Sequence, residues 1–197
     1  MSSANELNQS YYNSLVSFCQ YQVNIYSRTL FVRVDLHYPS VWDASVCLAD
    51  SSSISKFVAA LKIRISNATK DKTHASSVGY AWCKEISPTT DKPHYHILLA
   101  FNGNAYMSVG MPDQTVNNLF AKICHSWASA LGLHPGEANG LVYVPDNANY
   151  RVGSGASWNH SVENVIQRGS YLCKKTTKVY GDRTRSFQTS RVPKQAS

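Results

Sequence analysis

The chain has 197 residues, of which 43% are hydrophobic, enough for one domain with a substantial core and against intrinsic disorder. Lys and Arg number 19 against 12 Asp and Glu, a formal net charge of +7, which favours polyanionic partners, nucleic acid before anionic membrane. No run approaches the ~20 apolar residues of a membrane span, and the start MSSANELNQS lacks the basic and apolar regions of a signal peptide, so a cytoplasmic protein is expected.

Residues 5–26 read as a Tyr-rich helix, set apart as an N-terminal unit over 1–27. Residues 29–38 (TLFVRVDLHY) alternate and are rich in β-formers, which predicts a strand closed by Pro39. The serines at 51–53 can cap a helix to about Ala68, with Ile54, Phe57, Val58, Leu61 and Ile65 at helical spacing. Strands are expected over 77–86 and 94–101, joined by the turn PTTDKP. A second helix is expected over 114–131, ended near Gly132, then a short strand over 141–145. A loop rich in Asn, Gly and Ser covers 146–159. Ser161 opens a last helix, which the pattern carries to Tyr180 and Gly181, before a basic tail over 182–197 with room for one short strand.

The order strand, helix, strand, strand, helix, strand is that of an α+β fold of ferredoxin- or RRM-like type. Its antiparallel sheet carries helices on one face, with the last helix near the open face. The five cysteines (Cys19, Cys47, Cys83, Cys124, Cys173) are odd in number and form no C-x-x-C pair, which points to free buried thiols in a reducing compartment.

His94 and His96 sit two apart in a strand, so both rings leave the same face while Tyr95, Ile97, Leu99 and Phe101 leave the other. Two imidazoles can converge on one metal. Glu85, at the end of the preceding strand, folds back across the turn and brings a hard oxygen donor to about 5 Å when directly opposed. In isolation an H-x-H pair is more often structural or incidental than ligating; the strand context, the turn and Glu85 bring the two readings level. Asp35 and His37 share one face of the first strand and can reach this site, in a hydrogen-bonding role before a ligating one.

On a helical wheel from 162 to 178, Val162, Val165, Ile166, Leu172 and Cys173 gather on one side. Tyr171 falls opposite, near Asn164, Gln167, Lys174 and Lys178. A lysine at i+3 can lower a phenol pKa, ordinarily ~10, and neutralise phosphate oxygens. The alternative is a surface tyrosine on a nucleic-acid-binding helix. From Arg168 to Lys194 there are eight basic residues against one acid, Asp182; Arg168, Lys175, Lys178, Arg183, Arg185 and Arg191 are therefore expected to grip a nucleic-acid backbone. Tyr150, Arg151 and Trp158 are further candidates for stacking on unpaired bases, whereas Tyr80 and Trp82 fit a buried role equally well.

The segments VRVDLHYP (32–39), GYAWCKEISPTTDKPHYHILLAFN (79–102) and RGSYLCKKTTKVYGDRTRSFQTSR (168–191), with the element order, resemble the HUH endonucleases, the rolling-circle replication initiators, and most of all their inovirus-type, YagK/YfjJ-like branch. The resemblance implies an HUH-type endonuclease domain over 28–181, with Glu85, His94 and His96 holding Mn²⁺ or Mg²⁺. It implies Tyr171 as a single nucleophile assisted by Lys174, with Lys175 as rival. Tyr180 is too far along to be a second tyrosine. Such an enzyme nicks single-stranded origin DNA, keeps a 5′-phosphotyrosyl link, and leaves a free 3′ hydroxyl for the host replication machinery. A non-catalytic DNA-binding regulator on the same fold is the alternative. No G-x-x-x-x-G-K-[ST] loop occurs, so no helicase domain is expected.

Overall fold

A computed structural model describes residues 6–49, 52–175, 178 and 185–193. In chain order the elements are α1 (Gln9–Ile25), β1 (Arg28–His37), α2 (Ala44–Ala49), α3 (Ser53–Thr69), β2 (Gly79–Ile86), β3 (Pro93–Asn102), α4 (Leu119–Leu131), β4 (Val142–Tyr143), β5 (Asn149–Gly153), α5 (Val162–Gly169) and β6 (Phe187–Thr189). Single 3-10 turns occupy Pro135–Ala138 and Ser170–Cys173.

The six-stranded antiparallel sheet runs β4-β1-β3-β2-β6. Its first four members stand in the expected ferredoxin-like order. β4 takes the outer edge of β1 at Asp35 and Leu36, and β5 takes the same edge from Arg28 to Val32. β5 was expected to be loop; pairing with β1 makes it a strand despite its Asn- and Gly-rich surroundings.

Alternation splits the sheet's side chains between two cores. Leu30, Val32, Val34 and Leu36 of β1 and Tyr95, Ile97, Leu99 and Phe101 of β3 pack under Phe57, Leu61 and Ile65 of α3 and Ile123 and Trp127 of α4. On the other face, Phe31, Ala81, Cys83, Leu98 and Ala100 pack against Leu15, Phe18 and Cys19 of α1 and Val165 and Ile166 of α5. The first helix is thus part of the core rather than a separate unit.

Local chemistry sets the helix ends. Asn8 caps α1 by accepting from the Tyr11 amide, and Asn118 does the same for Ala121 at the start of α4, later than the pattern suggested. Gly132 closes α4 in the left-handed region at φ 71°. Ser161 and Asn164 form a capping box on α5. The expected continuation of that helix to Tyr180 does not occur. α5 ends at Gly169, the chain tightens into one 3-10 turn, and Lys174 turns extended at ψ 141°. Backbone pairing outcompetes the helix here: Leu7 bridges Lys174, the Asn8 amide donates to the Cys173 carbonyl at 2.8 Å, and the Lys175 amide donates to Glu6 at 3.0 Å. Tyr180 and Gly181 lie outside the described residues.

All five cysteines are free and buried. No described helix is long and apolar enough to cross a membrane.

Candidate metal centre and tyrosine

Strand register builds the site. Glu85 pairs with His94 and Cys83 with His96 across β2 and β3; Asp35 pairs with His96 and His37 with His94 across β1 and β3. Period-two alternation sends all these side chains to the α1–α5 side of the sheet. One ligand atom each from Glu85, His94 and His96 lies within 4.8 Å of the others. The two Nε2 atoms stand 3.1 Å apart, and His96 Nε2 is 3.4 Å from Glu85 Oε2. Glu85 is 2% exposed, so its carboxylate is held where water screens little.

Asp35 takes the supporting role expected of it, its Oδ1 meeting His96 Nδ1 at 2.6 Å. A proton on Nδ1 directed at Asp35 leaves the Nε2 lone pair facing Glu85 and His94, the carboxylate–histidine arrangement that orients metal ligands. His37 stacks on His94 with centroids 5.6 Å apart. Burial, then the neighbouring His96 and His37, pull the His94 pKa down to about 4, so its ring is neutral near pH 7. Burial also opposes charge on His96, but Asp35 and Glu85 outweigh it and hold that ring above the ordinary histidine range. Two imidazole nitrogens and one carboxylate suit a divalent cation, with coordination positions left for water or phosphate.

Tyr171 reaches this cluster from the 3-10 turn. Its hydroxyl donates to Glu85 Oε2 at 3.5 Å, and its ring meets His96 edge-on at 5.1 Å. Two cations lie over the ring, the Arg33 guanidinium and the Lys174 amine, each 4.9 Å from the centroid. The expectation of a lowered phenol pKa is not met. Burial first and the Glu85 charge second raise it, while Arg33 opposes. Lys174 sits over the face of the ring instead of beside the hydroxyl.

The basic residues expected on one surface divide. Lys178 is no surface grip: its amine is buried, 3.3 Å from Glu85 Oε1 and 2.7 Å from the Lys174 carbonyl. Lys175 is exposed and pairs with Glu6 at 2.5 Å. Arg168 is exposed and its Nε donates to the Tyr150 hydroxyl at 3.1 Å. Arg185 and Arg191 are exposed on either side of β6, and Arg183 lies outside the described residues. Tyr150 and Trp158 do not stand open for base stacking, at 7% and 4% exposure; Trp82 is likewise buried.

One site residue, Arg33, escaped sequence reasoning, and another, Lys178, was given the wrong role. Arg33 is two before Asp35 on the same strand face, a period-two signal that marks it, and its Nε lies 3.6 Å from Asp35 Oδ1. Lys178 carried no such signal, because a helical wheel placed it in solvent.

The fold and centre together define an α+β protein with a ferredoxin-like sheet, a His-His-Glu cluster on its inner strands and a tyrosine above it. The chain belongs to the family described as the YagK/YfjJ C-terminal domain, which matches residues 1–190. It is 33% identical over 184 residues to YagK of Escherichia coli K12, an uncharacterized protein, covering 87% of this chain and 88% of the relative. To YfjJ of the same organism, also uncharacterized, it is 31% identical over 183 residues, covering 86% and 88%. No solved structure matches.

Proposed function

We propose that this chain is a metal-dependent endonuclease of HUH type that nicks single-stranded DNA at a replication origin, with Tyr171 as nucleophile. The observation that carries this reading is the meeting of two chemistries at one carboxylate: Glu85 Oε2 stands 3.4 Å from His96 Nε2 and 3.5 Å from the Tyr171 hydroxyl.

A divalent ion, Mn²⁺ or Mg²⁺, on Glu85, His94 and His96 would supply Lewis-acid polarisation of the scissile phosphate. The chain's own groups do the rest. The Tyr171 hydroxyl donates to Glu85 Oε2, a contact that orients the phenol, and its proton passes to water as the Tyr171 oxygen forms its bond to phosphorus. The P–O3′ bond breaks and the departing 3′ oxygen takes a proton from water, leaving a 5′-phosphotyrosyl link and a 3′ hydroxyl on the released strand for the host replication machinery. Arg33 and Lys174, both beside the ring, are placed to balance the charge of the phosphate oxygens. Energy of the broken bond is kept in the phosphotyrosine, so rejoining needs no nucleotide cofactor.

The test incubates the protein with labelled single-stranded DNA and Mn²⁺ and looks for an adduct that survives denaturation. Wild type gives it; Tyr171→Phe binds the DNA and gives none. A mutant that nicks at the wild-type rate would end the assignment. A non-catalytic DNA-binding regulator is the second reading, favoured by the Lys178 amine at 3.3 Å from Glu85 Oε1, which neutralises the carboxylate from within. It requires binding without cleavage that EDTA leaves unchanged.

A further inference from the structure

We propose that the α3–α4 face is a second nucleic-acid contact, gripping the phosphodiester backbone of duplex DNA on the side of the sheet away from Tyr171. The choice of DNA rests on the nicking function proposed above. Residues 53–72, α3 and the turn after it, carry five bases (Lys56, Lys62, Arg64, Lys70, Lys72) and one acid, Asp71. This layer covers the core opposite the metal cluster.

Lys72 and Lys122 line one cavity of about 380 Å³ together with Thr69, Tyr106, Ser108 and Asn117. One turn along α3 and α4 from Ala68 and Lys122 of that lining, Arg64 Nη2 donates to the His125 carbonyl at 3.4 Å. Among the described residues, Arg64, Lys72 and Lys122 make no ion pair with an acid. Asp113, the other acid of this region, is turned to its own loop, its Oδ1 accepting from the Thr115 amide at 2.8 Å and hydroxyl at 2.6 Å. The clustered charges are felt within the fold. Burial, then the charge of Lys72, holds Lys122 below the ordinary lysine range. Tyr106 Oη and Arg64 Nε are buried with no hydrogen-bond partner among the described residues.

Gathered cations without acids are stabilised by a polyanion, and amines with hydroxyl and amide groups in a concavity suit phosphate oxygens. Duplex is favoured over single strands because the exposed apolar side chains nearby, Ile63, Met107, Met111 and Val116, offer no aromatic platform for unstacked bases. A membrane surface fits less well. An interfacial helix needs a free apolar face, and α3 has placed Ile54, Phe57, Leu61 and Ile65 in the core.

The experiment compares wild type with Lys72→Glu/Lys122→Glu, and with the milder Lys72→Gln/Lys122→Gln, in salt-dependent binding to a fluorescent duplex, to anionic vesicles and to single-stranded DNA with adduct formation. Expected is about a tenfold loss of duplex affinity at low salt for the reversal, a smaller loss for the neutral pair, and a log–log salt slope shallower by about two. Adduct yield on a short single strand should stay at the wild-type level. Unchanged duplex affinity and slope in a folded variant would overturn the proposal, as would loss of vesicle binding alone. If wild type forms no adduct but the variants lose duplex affinity as stated, the nicking function fails and this surface stands.

Discussion

At His96 the two ring nitrogens face different groups, Asp35 at 2.6 Å from Nδ1 and Glu85 at 3.4 Å from Nε2. Asp35 fixes which nitrogen is left to bind a cation. Asp35→Asn should therefore weaken divalent metal binding about 10–100-fold, measured by calorimetry, with little change in the fold. The protonation state adds a pH dependence with a definite sign. His96 titrates above its ordinary value of 6.5, so below its own pKa a proton must leave before Nε2 can ligate. His94, at about 4, is already neutral over that range and adds no slope. Metal affinity should rise about tenfold per pH unit from pH 5.5 upward, by about one released proton, and level off above the His96 pKa. A flat profile between about pH 5.5 and 7 would contradict this protonation scheme. His94, His96 and Glu85 were legible in the sequence because strand alternation and a hairpin turn are local rules. Lys178 was not, because its partner Glu85 lies far away in sequence and helical geometry gave the wrong direction for its side chain.

Gly103, just after β3, shows what holds the elements in place. A Cβ there would stand 2.3 Å from the Trp158 ring and 3.0 Å from the Arg28 backbone. Gly103→Ala should cost about 1–3 kcal/mol in denaturant unfolding, since the buried indole has no room to retreat. The strands β1, β2 and β3 and the helices α3 and α4 could be read from periodicity, as each buries a regular stripe. α2 and β5 could not. α2 is six residues long, too short for a periodic signal, and β5 owes its form to the edge of β1. The last helix was misread for the same physical reason. Its apolar spacing continues to Leu172 and Cys173, but residues 6–8 supply backbone partners that stop it at Gly169. Tyr171 nevertheless reaches the polar cluster from the 3-10 turn, its hydroxyl 3.5 Å from Glu85 Oε2.

Across the molecule, the sheet divides two cores of unlike construction. The α3–α4 side is continuous, whereas the α1–α5 side is closed by the first helix of the chain. Phe18, fully buried and edge-on to Phe31 at 6.4 Å, anchors that closure. Phe18→Ala should lower unfolding free energy by about 3–5 kcal/mol and, by loosening the layer that bears Tyr171, reduce adduct yield more than metal affinity. Equal loss of both would show that α1 supports the whole sheet instead. The bridge from Leu7 to Lys174 has a consequence for synthesis. The segment that steadies the tyrosine turn is synthesised well before the turn itself, with both histidines and Glu85 made in between. A nascent chain therefore carries its two histidines and glutamate before it has a positioned nucleophile, so any activity at this centre would begin only after the turn at Ser170–Cys173 has emerged.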